Sequence, residues 1–127
     1  MSKARILIVD DEPDIIMSLT MRLRANDYEV ISAMDGMQAT TTALREKPDL
    51  VVLDIGMPAG DGHVVAQRLR ENVTTMHIPI IFLTARTADD DYMKALQQRV
   101  DKYLTKPYQP EQLLESIEEC LDKVANV

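Results

Sequence analysis

The chain has 127 residues, a length that suits one folded domain. Its 14 basic and 21 acidic side chains give a net charge of −7, which argues against the concentrated cationic surface that nucleic-acid binding requires. The single cysteine, Cys120, excludes an internal disulfide, and every apolar run is far shorter than the about 20 residues of a membrane-spanning helix. We therefore expect a cytoplasmic protein in which residues 1–127 form a single domain with no visible output domain.

Short apolar runs rich in β-branched residues alternate with segments of helical periodicity. The runs predict five strands, at residues 6–9, 28–31, 50–53, 78–83 and 103–104. The spacing of apolar residues between and after these runs predicts five helices, at residues 15–23, 39–44, 64–69, 93–96 and 113–124. Apolar strands that alternate with helices predict a parallel sheet covered on both faces, so we expect a doubly wound α/β sandwich.

Polar side chains follow four of the five predicted strands. Asp10 and Asp11 follow the first strand, Asp54 the third, Thr84 the fourth and Lys106 the fifth. The carboxyl ends of parallel strands form one edge, where ligands of such folds bind. If the first strand lies in the middle of the sheet, beside the third, the three carboxylates converge there.

Carboxylates that converge repel one another, by roughly 3 kcal/mol for two unit charges about 5 Å apart at an effective dielectric near 20. A hard divalent cation with oxygen ligands removes this repulsion, and Mg²⁺ suits a shallow open site. A metal, a carboxylate, a hydroxyl and an ammonium are the groups needed for phosphoryl transfer to an aspartate. Asp54 would be the nucleophile, while Mg²⁺, Lys106 and Thr84 would bind the oxygens of the transferred group.

Each of these residues also has a purely structural interpretation. Asp10 and Asp11 could cap the first helix, Asp54 could be a turn residue, and Lys106 could be a solvated loop lysine. The coincidence at four strand ends favours a functional site over four separate structural roles. His63 and His77 fit no metal-ligand spacing and are expected to be surface or packing residues, and the eight methionines are interpreted as core filler.

Four stretches of the sequence resemble the motifs of the receiver domain of two-component response regulators. They are Ile-Leu-Ile-Val-Asp-Asp-Glu-Pro at 6–13, Leu-Asp-Ile-Gly-Met-Pro at 53–58 with Asp-Gly at 61–62, Leu-Thr-Ala at 83–85, and Tyr-Leu-Thr-Lys-Pro-Tyr at 103–108. The resemblance covers the whole chain. It implies a flavodoxin-like (βα)5 fold with sheet order 2-1-3-4-5. It also implies phosphorylation of Asp54 by the phosphohistidine of a sensor histidine kinase or of a histidine phosphotransfer protein.

The resemblance further implies roles for individual residues at the strand ends. Mg²⁺ would be held by Asp11, Asp54 and the backbone carbonyl of Gly56, with Asp10 acting through water. The peptide bond between Lys106 and Pro107 would be cis, an isomer that proline makes accessible. Such a domain would catalyse only its own phosphorylation and dephosphorylation, so we do not expect an enzyme with an external substrate.

The switch of the family maps onto Thr84 and Tyr103. On phosphorylation the threonine hydroxyl would move toward the phosphoryl group, and the aromatic ring would turn into the space that it vacates. The output would be a changed surface on the fourth predicted helix, the fifth strand and the last helix, to which a downstream partner protein binds. The chain itself is expected to be a monomer or a weak dimer. A stand-alone regulator, a phosphorelay intermediate and a fragment of a longer regulator all remain open.

Some positions depart from the family pattern. Arg99-Val100 stands where the family usually has Gly-Ala. The position where the fourth predicted helix ends, and the resting shape of the output face, therefore cannot be inferred from a relative. Gly56 and Arg86 would flank the phosphoryl group and affect its lifetime.

The alternative function is a small Mg²⁺-dependent phosphohydrolase with an aspartyl-phosphate intermediate. That chemistry needs a second acid two residues after the nucleophile, where this chain has Gly56.

Overall fold

The computed structural model describes residues 3–57, 61–84 and 100–125. Within these residues the elements are β1 (Arg5–Val9), α1 (Pro13–Ala25), β2 (Glu29–Ala33), α2 (Gly36–Glu46), β3 (Leu50–Asp54), α3 (Asp61–Glu71), β4 (Ile80–Thr84), β5 (Lys102–Thr105) and the C-terminal helix (Pro110–Ala125). The helix predicted at 93–96 lies outside the described residues, as do Arg86 and Arg99. No described helix has the length and apolarity needed to span a membrane.

The five strands form one parallel sheet in the order β2-β1-β3-β4-β5. This confirms the predicted α/β fold and its strand order. Every residue of β3 and β4 is buried, whereas the edge strands β2 and β5 are only partly buried. A parallel strand with helices on both faces excludes water from all its side chains, which explains why the central strands are uninterrupted apolar runs.

Two hydrophobic clusters lie on the two faces of the sheet. Leu7 and Val9 of β1 belong to the cluster formed with α2 and α3. Ile6 and Ile8 belong to the cluster formed with α1 and the C-terminal helix. Successive side chains of a strand point to opposite faces, so each strand contributes to both clusters. Full burial of an aliphatic side chain stabilises the fold by about 1.5 to 3 kcal/mol.

The methionines correct one prediction from the sequence. Of those described, Met57 is buried, and the others are exposed: Met17, Met21, Met34, Met37 and Met76. Met17 and Met21 are one helical turn apart, on the side of α1 opposite to the buried Leu19 and Leu23. The interpretation as core filler is therefore wrong for five positions, because helical position decides burial more strongly than the character of a flexible side chain.

The arginine near the end of α3 connects three segments of the chain. Arg70 donates hydrogen bonds to the carbonyl oxygens of Met76, at 3.1 Å, and of Ile78, at 2.7 Å. Its guanidinium also lies 3.3 Å from Asp101 Oδ2, which accepts the backbone N–H of Ile80 at 2.9 Å. The residue before β5 is thus joined to the start of β4 and to α3.

Cys120 provides a test of how tightly the C-terminal helix packs on the sheet. Its side chain is 4% exposed, and burial raises the pKa of its thiol from 9.0 to about 11. Only the thiolate reacts with alkylating reagents, so at about pH 8 we expect iodoacetamide to modify the folded protein about 100-fold more slowly than the urea-unfolded chain. The rate in the folded protein should rise about tenfold per pH unit and level off only above about pH 11. Mass spectrometry measures both rates, and equal rates at about pH 8 would show that the helix does not protect the thiol.

Candidate site at the carboxyl ends of the strands

The predicted site residues meet at the edge where four strands end. Asp10 follows β1, Asp54 is the last residue of β3, and Thr84 is the last residue of β4. Lys106 directly follows β5, whose last residue, Thr105, pairs with Thr84. Because the strands are parallel and in this register, their terminal side chains reach the same crevice.

Lys106 lies between two carboxylates of this crevice. Its Nζ is 3.6 Å from Asp54 Oδ2 and 4.0 Å from Asp10 Oδ2. Both carboxylates are almost completely buried, whereas the lysine side chain is partly exposed. Among the described residues a single ammonium therefore faces two buried carboxylates, which leaves an excess of negative charge in this part of the crevice.

The excess of negative charge in the crevice is concentrated at Asp10. Its residue is 1% exposed, and its Oδ1 accepts the backbone N–H of Glu12 at 2.9 Å. Its Oδ2 is a buried oxygen that has no hydrogen-bond partner among the described residues. The pKa of this carboxyl is raised from 3.8 to about 6: burial is the main cause and the negative charge of Asp54 adds to it, while the Glu12 N–H and Lys106 act in the opposite direction. An unpartnered buried oxygen costs about 1 to 3 kcal/mol, so the crevice fits a cation that would satisfy it.

Three consecutive acids supply the oxygens for such a cation. Asp10, Asp11 and Glu12 each offer a carboxylate oxygen, and these oxygens lie within 4.8 Å of one another. Glu12 is the N-cap residue of α1, and no side chain caps the helix there. The helix-cap interpretation therefore leaves this cluster unexplained, while an all-oxygen ligand set is the one that Mg²⁺ prefers. The sequence predicts no role for Glu12, although the residue belongs to the motif at 6–13.

The carboxylate of Asp54 is oriented by a hydrogen bond within the turn that follows β3. Its Oδ1 accepts the backbone N–H of Gly56 at 2.8 Å, so part of the turn interpretation holds. Its Oδ2 is the oxygen that faces Lys106. A Cβ atom at position 56 would lie 3.2 Å from Asp54 Oδ1, so glycine there keeps the side of the carboxylate open.

Thr84 and Tyr103 lie on adjacent strands and on one face of the sheet. Phe82 pairs with Tyr103 and Thr84 with Thr105, and side chains two residues apart in a strand share a face. Thr84 is buried, while Tyr103 is partly buried and packs against the cluster on the α2 and α3 side. Val100 packs against the same cluster. The Thr84 carbonyl accepts the Lys106 N–H at 2.6 Å.

Three further observations complete the site. The Lys106–Pro107 peptide bond is cis, in agreement with the expectation from the sequence. Tyr108 borders the carboxylates: burial raises the pKa of its phenol, and the charges of Asp10 and Asp54 raise it further. The sequence motif includes this tyrosine, but its spacing indicates no contact with the acids. His63 packs edge-on against Phe82, with ring centroids 5.3 Å apart, which confirms a packing role.

Comparisons with known proteins agree with this geometry. A family model described as the response regulator receiver domain matches residues 6–118. The response regulator PleD of Caulobacter vibrioides (strain NA1000 / CB15N) is 41% identical over 104 residues, which are 82% of this chain and 23% of PleD. The probable transcriptional regulator ycf27 of Porphyridium aerugineum is 42% identical over 124 residues, which are 98% of this chain and 50% of that protein. The chain thus spans half or less of the length of these curated relatives.

A solved structure gives the same result at the level of the fold. The receiver domain of the sensor histidine kinase PA1611 from Pseudomonas aeruginosa PAO1, with a magnesium ion coordinated in its active site cleft, has a TM-score of 0.85 and 29% sequence identity to this chain. The match covers 94% of this chain and 98% of that one. Sheet order, strand-end residues and family model therefore agree. The chain belongs to the family of receiver domains of two-component response regulators.

Proposed function

We propose that this domain accepts a phosphoryl group on Asp54 from the phosphohistidine of a sensor histidine kinase or of a histidine phosphotransfer protein, in a reaction that depends on Mg²⁺. The observation that carries the proposal is the position of Lys106 Nζ, within 4.0 Å of a carboxylate oxygen of both Asp54 and Asp10. A structural lysine would need only one of these partners. Two buried acids that share one ammonium form a site with unfilled capacity for a cation.

The transfer is a displacement at phosphorus. One oxygen of Asp54 forms the new P–O bond while the P–N bond to the donor imidazole breaks, and its electron pair stays on the ring nitrogen. The ammonium of Lys106 and the hydroxyl of Thr84 would bind oxygens of the transferred group, so positioning and charge stabilisation account for most of the rate.

Mg²⁺ fits the acidic side of the crevice. We assign its ligands as Asp11, Asp54 and the carbonyl of Gly56, with Asp10 acting through water and Glu12 beside them. When bound, the ion would neutralise charge on the phosphoryl oxygens and on the carboxylates. The unpartnered Oδ2 of Asp10 supports this assignment, since a water molecule on the ion would supply its missing hydrogen bond.

The response would pass from Thr84 to Tyr103 on the shared face of the sheet. A ligand shifts a two-state equilibrium only by its differential affinity, and a change from about 1:99 to 99:1 takes roughly 5.5 kcal/mol. A hydrogen bond from Thr84 to a charged group supplies about 1.5 to 3 kcal/mol, so Lys106 and the repacking of Tyr103 would contribute the rest. Val100, on the same cluster, adds bulk where the family usually has alanine. The signal would then reach a downstream protein partner.

Phosphorylation by acetyl phosphate with Mg²⁺ tests the assignment of Asp54. We expect the wild type to gain one phosphoryl group that hydroxylamine removes, as it does from an acyl phosphate, and Asp54→Asn to gain none. Intact-protein mass spectrometry measures both. Asp27→Asn is the matched control, because it makes the same change at an exposed acid after α1 and should not alter the reaction. Phosphorylation of Asp54→Asn would show that another residue is the acceptor.

A further inference from the structure

A cavity of about 540 Å³ lies at the end of the sheet opposite to Asp54, where β1 and β2 begin. Its wall includes Lys3 and Tyr28 on the strand side and Glu118, Leu121 and Asp122 of the C-terminal helix. Sites for small ligands have volumes of about 300 to 1,000 Å³, so this cavity can hold a small molecule or a long side chain.

Tyr28 lines this cavity, and its side-chain hydroxyl has no partner within the described part of the protein. The residue is 4% exposed, and its hydroxyl forms no hydrogen bond with a described residue. Among the described residues, Asp10 Oδ2 is the only fully buried polar side-chain atom without a partner, so the Tyr28 hydroxyl belongs to the small exposed part of the residue and contacts water in the cavity. The hydroxyl therefore marks a position where a ligand can accept or donate a hydrogen bond.

Two carboxylates lie near that hydroxyl. Glu118 and Asp122 are one helical turn apart, so they share a face of the C-terminal helix. Burial raises the pKa of the Tyr28 phenol, and the charges of Glu118 and Asp122 raise it further. Neither acid forms an ion pair with a described residue, whereas their neighbour Glu119 pairs with Lys102 at 2.7 Å. The cavity wall therefore carries two exposed carboxylates that form no ion pair within the described residues, and the ammonium of Lys3 lies in the same wall.

The chain itself shows which ligand charge suits this wall. The ammonium of Lys3 lies 4.9 Å from the centroid of the Tyr28 ring, within the range of a cation–π contact. Such contacts at exposed positions change an equilibrium only about two- to five-fold, so Lys3 can yield this place to a competing cation.

We propose that this cavity is a binding site for a protonated amine, whose ammonium lies against the Tyr28 ring and between Glu118 and Asp122. The amine is either a free alkyl diamine or the lysine side chain of a partner protein. The site requires no phosphorylation of Asp54, and so it is independent of the proposed function.

Titration of the full chain with 1,4-diaminobutane, followed by amide and tyrosine-ring NMR shifts, tests the proposal. Mg²⁺ is kept in excess so that the diamine does not compete for Asp10 and Asp11. We expect saturable shifts at Lys3, Tyr28 and residues 118–122, and none with 1,4-butanediol, the uncharged analogue. Equal shifts with the diol, or shifts of equal size at an exposed acid elsewhere such as Asp35, would overturn the proposal.

Variants separate a built site from general attraction to an acidic protein. The double variant Glu118→Gln with Asp122→Asn should weaken diamine binding about tenfold, while Glu111→Gln with Glu115→Gln, on the same helix, should not change it. Lys3→Met should tighten binding about two- to five-fold, because it removes the internal competitor. Equal losses in both double variants, or weaker binding in Lys3→Met, would contradict the proposal.

A comparison of a lysine-containing peptide with the diamine distinguishes the two sources of the amine. Tighter binding of the peptide would identify the side chain of a partner protein as the ligand, and tighter binding of the diamine would identify a free amine.

Discussion

Replacing Gly62 with alanine should lower the free energy of unfolding by about 2 kcal/mol or more. Gly62 is the second residue of α3 and is buried against the end of β3. A Cβ atom there would lie 2.6 Å from the Cα of Ile55 and 2.9 Å from the carbonyl oxygen of Asp54. Both contacts are with backbone, which cannot rotate away. The helix must therefore move outward, and the loss exceeds the up to about 1 kcal/mol by which alanine favours a helix over glycine.

Urea denaturation measures this loss, and Gly56→Ala is the matched control. The added Cβ of that variant meets only the Asp54 carboxylate, at 3.2 Å, and a side chain can shift by a few tenths of an ångström. We expect the control to lose less than about 1 kcal/mol. A Gly62→Ala variant as stable as the control would show that α3 can move away from β3 at no cost. Phosphorylation of Gly62→Ala should also be slower than that of the wild type, since the displaced backbone includes the Asp54 carbonyl.

The second large effect is a gain of stability from removing a site residue. Without Mg²⁺, Asp10→Asn should raise the free energy of unfolding by about 1 to 2 kcal/mol. The amide keeps the oxygen that accepts the Glu12 N–H, and it removes a buried charge that repels Asp54. The same change should remove the response to Mg²⁺, which in the wild type would add about 2.7 kcal/mol at a hundredfold excess over Kd.

Thermal and urea denaturation with and without Mg²⁺ measure both parts of this prediction. Asp14→Asn is the control for net charge, since Asp14 is an exposed acid in the first turn of α1. We expect it to keep the Mg²⁺ response and to change stability by less than about 0.5 kcal/mol. Destabilisation of metal-free Asp10→Asn would mean that its charge is compensated within the folded protein, so the argument for a cation at Asp10 Oδ2 would fail.

The strand order is implied by the resemblance to receiver domains, whereas the crevice follows from the sequence itself because burial on both faces leaves few polar positions in the central strands. An aspartate directly after such a run must lie at the edge of the sheet, which makes the positions of Asp10 and Asp54 predictable. The contact of Lys106 with both acids is not predictable in this way. It depends on the register between β4 and β5 and on the turn after β5, which brings the lysine back over the crevice.

The side of a helix that faces the core is less predictable where apolar residues are adjacent. Val64 and Val65 are both candidates for the core of α3, yet Val65 is buried and Val64 is 37% exposed. In α2, Ala43 is buried and Leu44 is 37% exposed. A helix turns by about 100° per residue, so only one of two neighbours can face the sheet squarely, and hydrophobicity alone does not choose between them.

The bounds of β2 and β4 differ from the predicted ones, and the reason differs between the two strands. The apolar run predicts that β4 begins at Ile78, but the strand begins at Ile80. The N–H of Ile78 donates to the Thr75 carbonyl at 3.0 Å, so this residue closes the preceding turn while its side chain is buried. In β2 the strand extends through Ser32 to Ala33, because an edge strand can expose a hydroxyl that a central strand would have to satisfy.

The contact between Arg70 and Asp101 links the fifth strand to a distant part of the chain. It joins residues that are 31 positions apart in the chain, and Asp101 also bonds to the first residue of β4. The start of β5 is thus anchored to α3 and to β4 by contacts between residues that are distant in the sequence. Tyr103 lies in this strand and Lys106 directly follows it, so both depend on the register of β5 against β4. A change at Arg70 or Asp101 would therefore reach the strand-end crevice without touching any residue in it.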